Sequence, residues 1–246
     1  MANLRDNASR TKAPSPLGTS LFVGLRAADA VLQYNILRRG WGQEVITRLG
    51  GNAILATDAA GGILGLHPYY ATLAAFALGS SVKQAVNLLF VSEQEMPPQS
   101  AIMISVFNTI FNSANTLLSL WATSSMAPTS AAELSSSPTF LFGVGMYVVG
   151  MLTETISEFQ RKAFKADPAN KGKPYGGGLF SLATNINYGG YTLWRAGYAI
   201  TAAGLPWGVV VGGWFFYDFA TRGVPVLDHY CTERVSLLAL PRPRIV

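Results

Sequence analysis

The chain has too few cysteines and histidines for several common kinds of site. Its 246 residues include one cysteine, Cys231, and two histidines, His67 and His229. A single cysteine excludes an intrachain disulfide and a cysteine-based metal site. The two histidines lie far apart and belong to no zinc or haem motif, so we expect no bound metal.

Charge is also scarce. Charged residues make up 13% of the chain, against about 25% in a typical soluble domain, while 50% of the residues are hydrophobic. This composition predicts an integral membrane protein. The net charge is +5, and its positive residues lie in loops beside apolar segments. Anionic lipid headgroups or an anionic cofactor suit that placement better than nucleic acid does.

The N-terminal segment lacks the apolar core and cleavage site of a secretory signal peptide. We expect residues 1–18 to form a polar tail and residues 19–246 to form a single membrane domain. The first apolar segment, residues 20–38, contains Arg26 and Asp29, and this mixture favours a short or amphipathic helix over a central span.

Further apolar segments alternate with polar loops along the rest of the chain. They cover residues 53–91, 101–122, 140–157, 188–203 and 207–220. Pro68 disfavours one continuous helix through the first of these, which predicts two short helices or one kinked helix. Because a span takes about 20 residues, the expected fold class is all-α, a polytopic transmembrane helical bundle of about five to seven spans.

Two patterns inside these segments concern helix packing. One consists of asparagines at helical spacing, which would share a face and turn it away from lipid; they are Asn108, Asn112 and Asn115. The other consists of small residues that permit close helix contact; they are Gly143, Gly145 and Gly150.

A loop dense in lysine and arginine, from Arg161 to Lys173, lies between two of the apolar segments. The positive-inside rule predicts that this loop and the basic C-terminal tail face the cytosol. The serine-rich loop at 123–139 has no lysine or arginine and would face the other side. We expect the endoplasmic reticulum as the host membrane.

Three short motifs follow in and after the basic loop. They read PANKGK at Pro168–Lys173, GLF at Gly178–Phe180 and NINYGGY at Asn185–Tyr191. On these motifs the last 95 or so residues resemble the steroid 5α-reductase C-terminal domain superfamily, and within it the uncharacterised membrane reductases of bacteria and fungi. The chain departs from that pattern where the superfamily has Arg, His, Pro and Glu; the residues present are Thr184, Asn185, Ile186 and Tyr191.

The resemblance implies NADPH-dependent reduction of an activated C=C bond in a sterol-like or other lipid, with residues 154–246 holding the cofactor. Glu158 would contact a hydroxyl group of the dinucleotide, and the lysines its phosphates. The implied cofactor contacts are Glu158, Lys162, Lys165, Lys173, Asn187, Tyr188, Arg195, Arg222, Asp228 and Tyr230. A plainer alternative is a basic cluster that sets topology and contacts lipid headgroups.

Reduction also needs a group that polarises the substrate carbonyl and a proton donor. No motif identifies them. The candidates are polar residues near the ends of spans or inside one; they are Tyr69, Tyr70, Glu93, Glu95 and Tyr147. The alternatives are interfacial anchors for the tyrosines and a solvated loop for the glutamates.

A second enzyme class stays open. The same superfamily includes isoprenylcysteine carboxyl methyltransferases, which bind S-adenosylmethionine, and their pattern is similar to Tyr188, Gly190, Trp194 and Gly197 of this chain. The alternative function is therefore a membrane methyltransferase that uses S-adenosylmethionine. A third possibility is a degenerate member that binds lipid without chemistry.

Overall fold

The computed structural model describes residues 9, 11–58, 62–229 and 232, and these residues are mainly helical. The helices are α1 Pro16–Arg38, α2 Trp41–Arg48, α3 Pro68–Val86, α4 Pro98–Leu120, α5 Ala131–Ser136, α6 Pro138–Ala166, α7 Ile186–Ala203 and α8 Leu205–Asp218. In this part of the chain there is no β-strand, only isolated bridges such as Ala53 with Trp121. The predicted all-α class is confirmed.

Proline sets where the long helices begin. Four long helices, α1, α3, α4 and α6, each start at a proline. Proline has no N–H, and because an N–H in the first turn of a helix has no intrahelical acceptor, its absence there loses no hydrogen bond. At α3 the preceding His67 completes the start, because its Nδ1 accepts a hydrogen bond from the Tyr69 N–H at 3.3 Å.

The expectation of helix from residue 53 onwards was wrong. In the described part of segment 53–91, one helix forms; it begins at Pro68 and continues through a π-helical turn, Asn87–Val91. Residues 53–58 and 62–67 are not helical, and Gly65 among them has φ of 74°, a left-handed conformation that interrupts a helix.

Three helices in the described chain are long and apolar enough to cross a membrane, fewer than the five to seven expected. They cover Pro68–Val91, Pro98–Leu120 and Pro138–Ala166. α1 and α7 carry charged residues within the helix, whereas α8 is apolar but has only 14 residues, too few to span a membrane. α1 contains Arg26 and Asp29, α7 contains Arg195, and α8 runs into a π-helical turn, Phe219–Gly223, that contains Arg222.

The bundle places apolar side chains outside and polar ones inside. On α4, Met103, Val106 and Ile110 are exposed. The predicted asparagine face is buried, with Asn108, Asn112 and Asn115 each at most 3% exposed. This distribution is typical of helices that contact lipid on one side and one another on the other.

α1 is neither short nor amphipathic in the expected sense. Its 23 residues pack against α3 and α4, and its polar face turns inward, where Arg26, Asp29 and Gln33 are buried. Arg26 and Asp29, the charged residues that disfavoured a central position for α1, therefore face the neighbouring helices.

α6 and α7 form the closest helix pair. A Cβ at Gly150 would lie 2.4 Å from the Trp194 nitrogen, and one at Gly197 would lie 2.5 Å from the Tyr147 nitrogen. The predicted role of Gly143 and Gly150 in close contact is confirmed, whereas a Cβ at Gly145 would meet nothing within 4 Å. Gly145 is thus on the open side of α6.

The two ends of the bundle are defined by the loops that they carry. The basic end carries the segment 167–185 between α6 and α7, together with residues 87–97, and the opposite end carries residues 49–58, 62–67 and 121–137. At the basic end the described tail residues contact the loop before α4: Ser9 donates to Glu95 at 2.7 Å, and Lys12 pairs with Glu93.

Candidate functional site

A pair of predicted cofactor residues meets near the basic end. Asn187, in the first turn of α7, donates from Nδ2 to Glu158 Oε1 of α6 at 2.8 Å. The two residues are 6% and 8% exposed, and Arg161 forms an ion pair with the second carboxylate oxygen of Glu158. The sequence thus identified two residues that the fold brings together from 29 positions apart.

One turn deeper along α6, Glu154 connects three helices. It pairs with Lys83 of α3, and its Oε2 accepts a hydrogen bond from Trp194 Nε1 of α7 at 2.8 Å. This ion pair was not predicted from the sequence. The signal was Lys83, a cation within an apolar segment, which is a functional candidate by default.

Arg195 lies at the greatest depth of the predicted cofactor residues, about 14 Å from the start of α7 at 1.5 Å per residue. It is 1% exposed. Its Nε and Nη2 donate to the Tyr191 hydroxyl at 3.1 and 2.8 Å, and Nη2 also donates to Asn108 Oδ1. Aromatic rings surround the guanidinium, with the Trp194 ring centroid 4.4 Å from Cζ, and such faces favour a cation. Arg195 therefore does not snorkel to the surface.

A second buried network lies beside Arg195 and was not anticipated. Arg26 of α1 pairs with Asp29 at 2.6 Å, and Asp29 also accepts hydrogen bonds from Gln33 and Asn112, each at 2.8 Å. Arg26 reaches Ser80 of α3 at 3.4 Å. An arginine and an aspartate three residues apart in an apolar segment were the available signal.

The remaining predicted cofactor residues are spread around the basic end. Lys162 donates to the Phe90 carbonyl, and Arg222 pairs with Asp218 at 2.8 and 2.5 Å. Tyr188 stacks on Phe219 with ring centroids 4.5 Å apart. Three further predicted residues are exposed; they are Lys165, Lys173 and Asp228. Tyr230 lies outside the described residues.

The three tyrosines predicted as catalytic candidates direct their hydroxyls at backbone carbonyls. Tyr69 donates to the carbonyls of residues 201 and 202 at 2.9 Å, near the opposite end. Tyr70 donates to the Ser119 carbonyl at 3.3 Å, and Tyr147 to the Phe76 carbonyl at 2.8 Å. The Tyr69 and Tyr70 rings are in edge contact, with centroids 4.9 Å apart, whereas Tyr147 stacks on Phe76.

The glutamates predicted as catalytic candidates lie in the loop before α4. Glu95 accepts from Ser9, as described above, and a hydrogen bond from Lys12 together with its charge holds the pKa of Glu93 below its ordinary value. Within the described residues no three histidine, cysteine, aspartate or glutamate side chains are placed to hold a metal ion.

A protein-family model matches more than half of the chain. The chain belongs to the family described as "Protein of unknown function (DUF1295)", whose model matches residues 85–235. That match covers α4, α6, α7 and α8, and so contains Glu158, Asn187 and Arg195.

A curated relative carries a functional name. The "Probable O-methyltransferase ustE" of Ustilaginoidea virens is 39% identical over 232 residues, which cover 92% of this chain and 82% of the relative. No solved structure matches the chain significantly.

Proposed function

We propose that the protein is a membrane O-methyltransferase that transfers a methyl group from S-adenosylmethionine to an oxygen atom of a lipid-soluble acceptor. The observation that carries the proposal is the 39% identity, over 92% of the chain, to a relative named as a probable O-methyltransferase. The methyltransferase alternative drawn from the sequence is thereby favoured over the reductase hypothesis.

The residues at the basic end suit this cofactor. S-adenosylmethionine offers ribose hydroxyls and an ammonium group, and a buried carboxylate beside an amide can bind either. Glu158 and Asn187 form such a pair, and one turn further along α7 lies the Tyr191 ring, which packs against Trp194 and Phe219. When bound, the cofactor would supply an electrophilic methyl group on sulfur.

The cations at the basic end suit a dinucleotide less well. NADPH needs several cations for its phosphates, but Arg161 is paired with Glu158, Lys162 with a backbone carbonyl and Arg222 with Asp218. A dinucleotide would have to break these contacts, but Glu158 is engaged by Arg161 and Asn187 in the same way, so the preference for S-adenosylmethionine over NADPH rests on the relative named as an O-methyltransferase. We further propose that the basic end faces the cytosol from the endoplasmic reticulum, so that a water-soluble cofactor enters there.

Ligand-induced stabilisation tests the proposal, because a ligand that binds the native state raises its melting temperature. We expect S-adenosylmethionine to raise the melting temperature of the detergent-purified protein, and NADPH to leave it unchanged. With methyl-labelled S-adenosylmethionine and a lipid extract of the source cells, label should pass into an organic-soluble product.

Variants give the test its specificity. Glu158→Gln removes a charge-assisted hydrogen bond worth about 1.5–3 kcal/mol, so affinity for S-adenosylmethionine should fall by about tenfold or more. Glu44→Gln is the matched control, because Glu44 forms an exposed ion pair with Arg48 on α2. Stabilisation by NADPH alone would restore the reductase hypothesis, and a response to neither cofactor would favour a non-catalytic protein.

A further inference from the structure

Two arginines are buried at one depth in the middle of the bundle. We call Arg26, Asp29, Asn108, Asn112 and Arg195 the arginine cluster; its members come from α1, α4 and α7, and each is at most 2% exposed. Such groups are costly inside a membrane, and they are retained where they bind something or move something.

Polar atoms without partners concentrate at this cluster. In the described part of the chain, seven buried side-chain nitrogen or oxygen atoms lack a hydrogen-bond partner. Three belong to the cluster: Arg26 Nε, Arg195 Nη1 and Asn112 Oδ1. Three more lie on residues next to its contacts or one turn away; they are Ser81 Oγ, Gln84 Oε1 and Ser105 Oγ. Because buried polar groups are normally satisfied, this concentration indicates a place for a polar ligand.

The net charge of this buried region indicates the sign of the charge on that ligand. Arg26 pairs with Asp29 and Lys83 pairs with Glu154, whereas the partners of Arg195 are the neutral Asn108 and Tyr191. Three cations and two anions leave one net positive charge away from water. S-adenosylmethionine is itself a net cation at neutral pH, so the missing negative charge suits the acceptor.

The proton chemistry leads to the same conclusion. An acceptor bound as a neutral hydroxyl compound would need a base, yet His67 caps α3 at the opposite end and the nearby carboxylates are engaged. Asp29 accepts from Arg26, Gln33 and Asn112, and Glu154 is held by Lys83 and Trp194. An acceptor that is already an anion needs no proton removed.

We propose that the arginine cluster binds the acceptor by an acidic oxygen, as a carboxylate or phenolate, and that Arg195 is its principal cation. The proposal deepens the proposed function and rests on it for the chemistry. In the transfer, an oxygen lone pair forms the new O–CH₃ bond while the S–CH₃ bond breaks and its electron pair stays on sulfur. The product is a neutral methyl ester or methyl ether, and no proton is released.

Loss of the acceptor's charge has a consequence for turnover. The product no longer offers Arg195 a negative partner, so it should bind more weakly than the acceptor and return to the lipid. Guanidinium groups recognise oxyanions through charge-assisted, often bidentate hydrogen bonds, which a methylated oxygen cannot reproduce.

The experiment compares acids with neutral compounds of the same shape. 2-Naphthoate and myristate are titrated into the detergent-purified protein at pH 7, with 2-naphthamide and myristamide as neutral matches, and the melting temperature is followed. We expect at least one acid to stabilise the protein and its amide to have at least tenfold weaker effect. Failure of both acids, or equal stabilisation by acid and amide, overturns the proposal.

Variants locate the site. Arg195→Gln should weaken acid binding at least tenfold, while Arg48→Gln, on the exposed surface of α2, should bind like the wild type. If Arg195→Gln does not fold, Ser105→Ala tests the location of the acid-binding site instead. The Ser105 hydroxyl has no partner to lose, so the melting temperature should hold while acid affinity falls severalfold; unchanged affinity counts against the site.

A cofactor arm separates this proposal from the proposed function. If Arg195→Gln weakens S-adenosylmethionine binding as much as acid binding, Arg195 belongs to the cofactor carboxylate and the acceptor proposal is wrong. If the acids bind through Arg195 but S-adenosylmethionine does not bind the wild type, the anion site stands and methyl transfer fails.

Discussion

At the scale of single residues, the feature with the largest energetic consequence is the buried ion pair between Arg26 and Asp29. Both side chains are almost fully inaccessible. Removing one member of such a pair leaves an uncompensated charge, whereas removing both charges together is far less costly.

The pair therefore makes a double-mutant prediction. Asp29→Asn should destabilise the protein by about 3–5 kcal/mol, because Arg26 keeps its charge and loses its counter-ion. Adding Arg26→Met to that variant should recover part of the loss. Thermal unfolding in detergent measures both, and a double variant less stable than Asp29→Asn alone would show that the ion pair is not the source of the effect.

A second residue-scale prediction concerns pH. The pKa of Glu93 is lowered by Lys12, so the pair contributes stability above the ordinary carboxylate pKa and loses it as the pH falls through the lowered value. Because the pair is exposed, its contribution should be below about 1 kcal/mol. The melting-temperature difference between wild type and Glu93→Gln should be small at pH 7 and disappear as the solution is acidified through the lowered pKa; a constant difference contradicts this account.

At the scale of secondary-structure elements, the contact between α6 and α7 depends on glycine. The two helices approach so closely at Gly150 that a side chain there would meet backbone atoms, the Trp194 nitrogen and the Gly190 carbonyl oxygen at 2.4 and 2.6 Å. Backbone cannot rotate aside as a flexible side chain can, so the helices themselves must separate.

Gly150→Ala should accordingly destabilise the protein by about 1–3 kcal/mol, the usual cost of overpacking. It should also weaken cofactor binding, because Glu158 and Asn187 come from the same two helices. Gly145→Ala is the control on α6, and its open surroundings predict wild-type stability or a gain of up to about 1 kcal/mol. Equal effects of the two substitutions would mean that the close contact does not limit stability.

The elements also show what the sequence could reveal. Proline positions predicted the break at Pro68, and the spacing of Asn108, Asn112 and Asn115 predicted their shared inward face. The burial of α1 could not be predicted in the same way, because a polar helix face has the same sequence pattern whether it contacts water or the polar face of another helix. Likewise, Glu158 and Asn187 were singled out as a pair of candidates, but the link from Lys83 to Glu154 depends on tertiary packing that no local pattern encodes.

At the scale of the whole molecule, the segment from Arg161 to Lys173 brings five lysines and arginines to the basic end, whereas three arginines, Arg38, Arg39 and Arg48, lie beside the opposite end, and this difference predicts an orientation in the membrane. A cysteine-labelling experiment suits the chain because Cys231 is its only cysteine. After Cys231→Ser, Lys173→Cys should react with a membrane-impermeant maleimide from the cytosolic side of sealed microsomes. Ser135→Cys, on exposed α5, should react only after the membrane is permeabilised; the reverse pattern would invert the proposed topology.

The close glycine contact between α6 and α7 also bears on how the nascent chain enters the bilayer. On its own, α7 is a poor substrate for the translocon, because one arginine near the middle of a helix costs about 2.5–3.5 kcal/mol. α6 emerges immediately before it and is apolar enough to span, so the two can partition into lipid as a preformed hairpin. Because α4 precedes both helices in the chain, Asn108 can then accept a hydrogen bond from Arg195 as the hairpin inserts, so that the guanidinium need not face hydrocarbon without a partner.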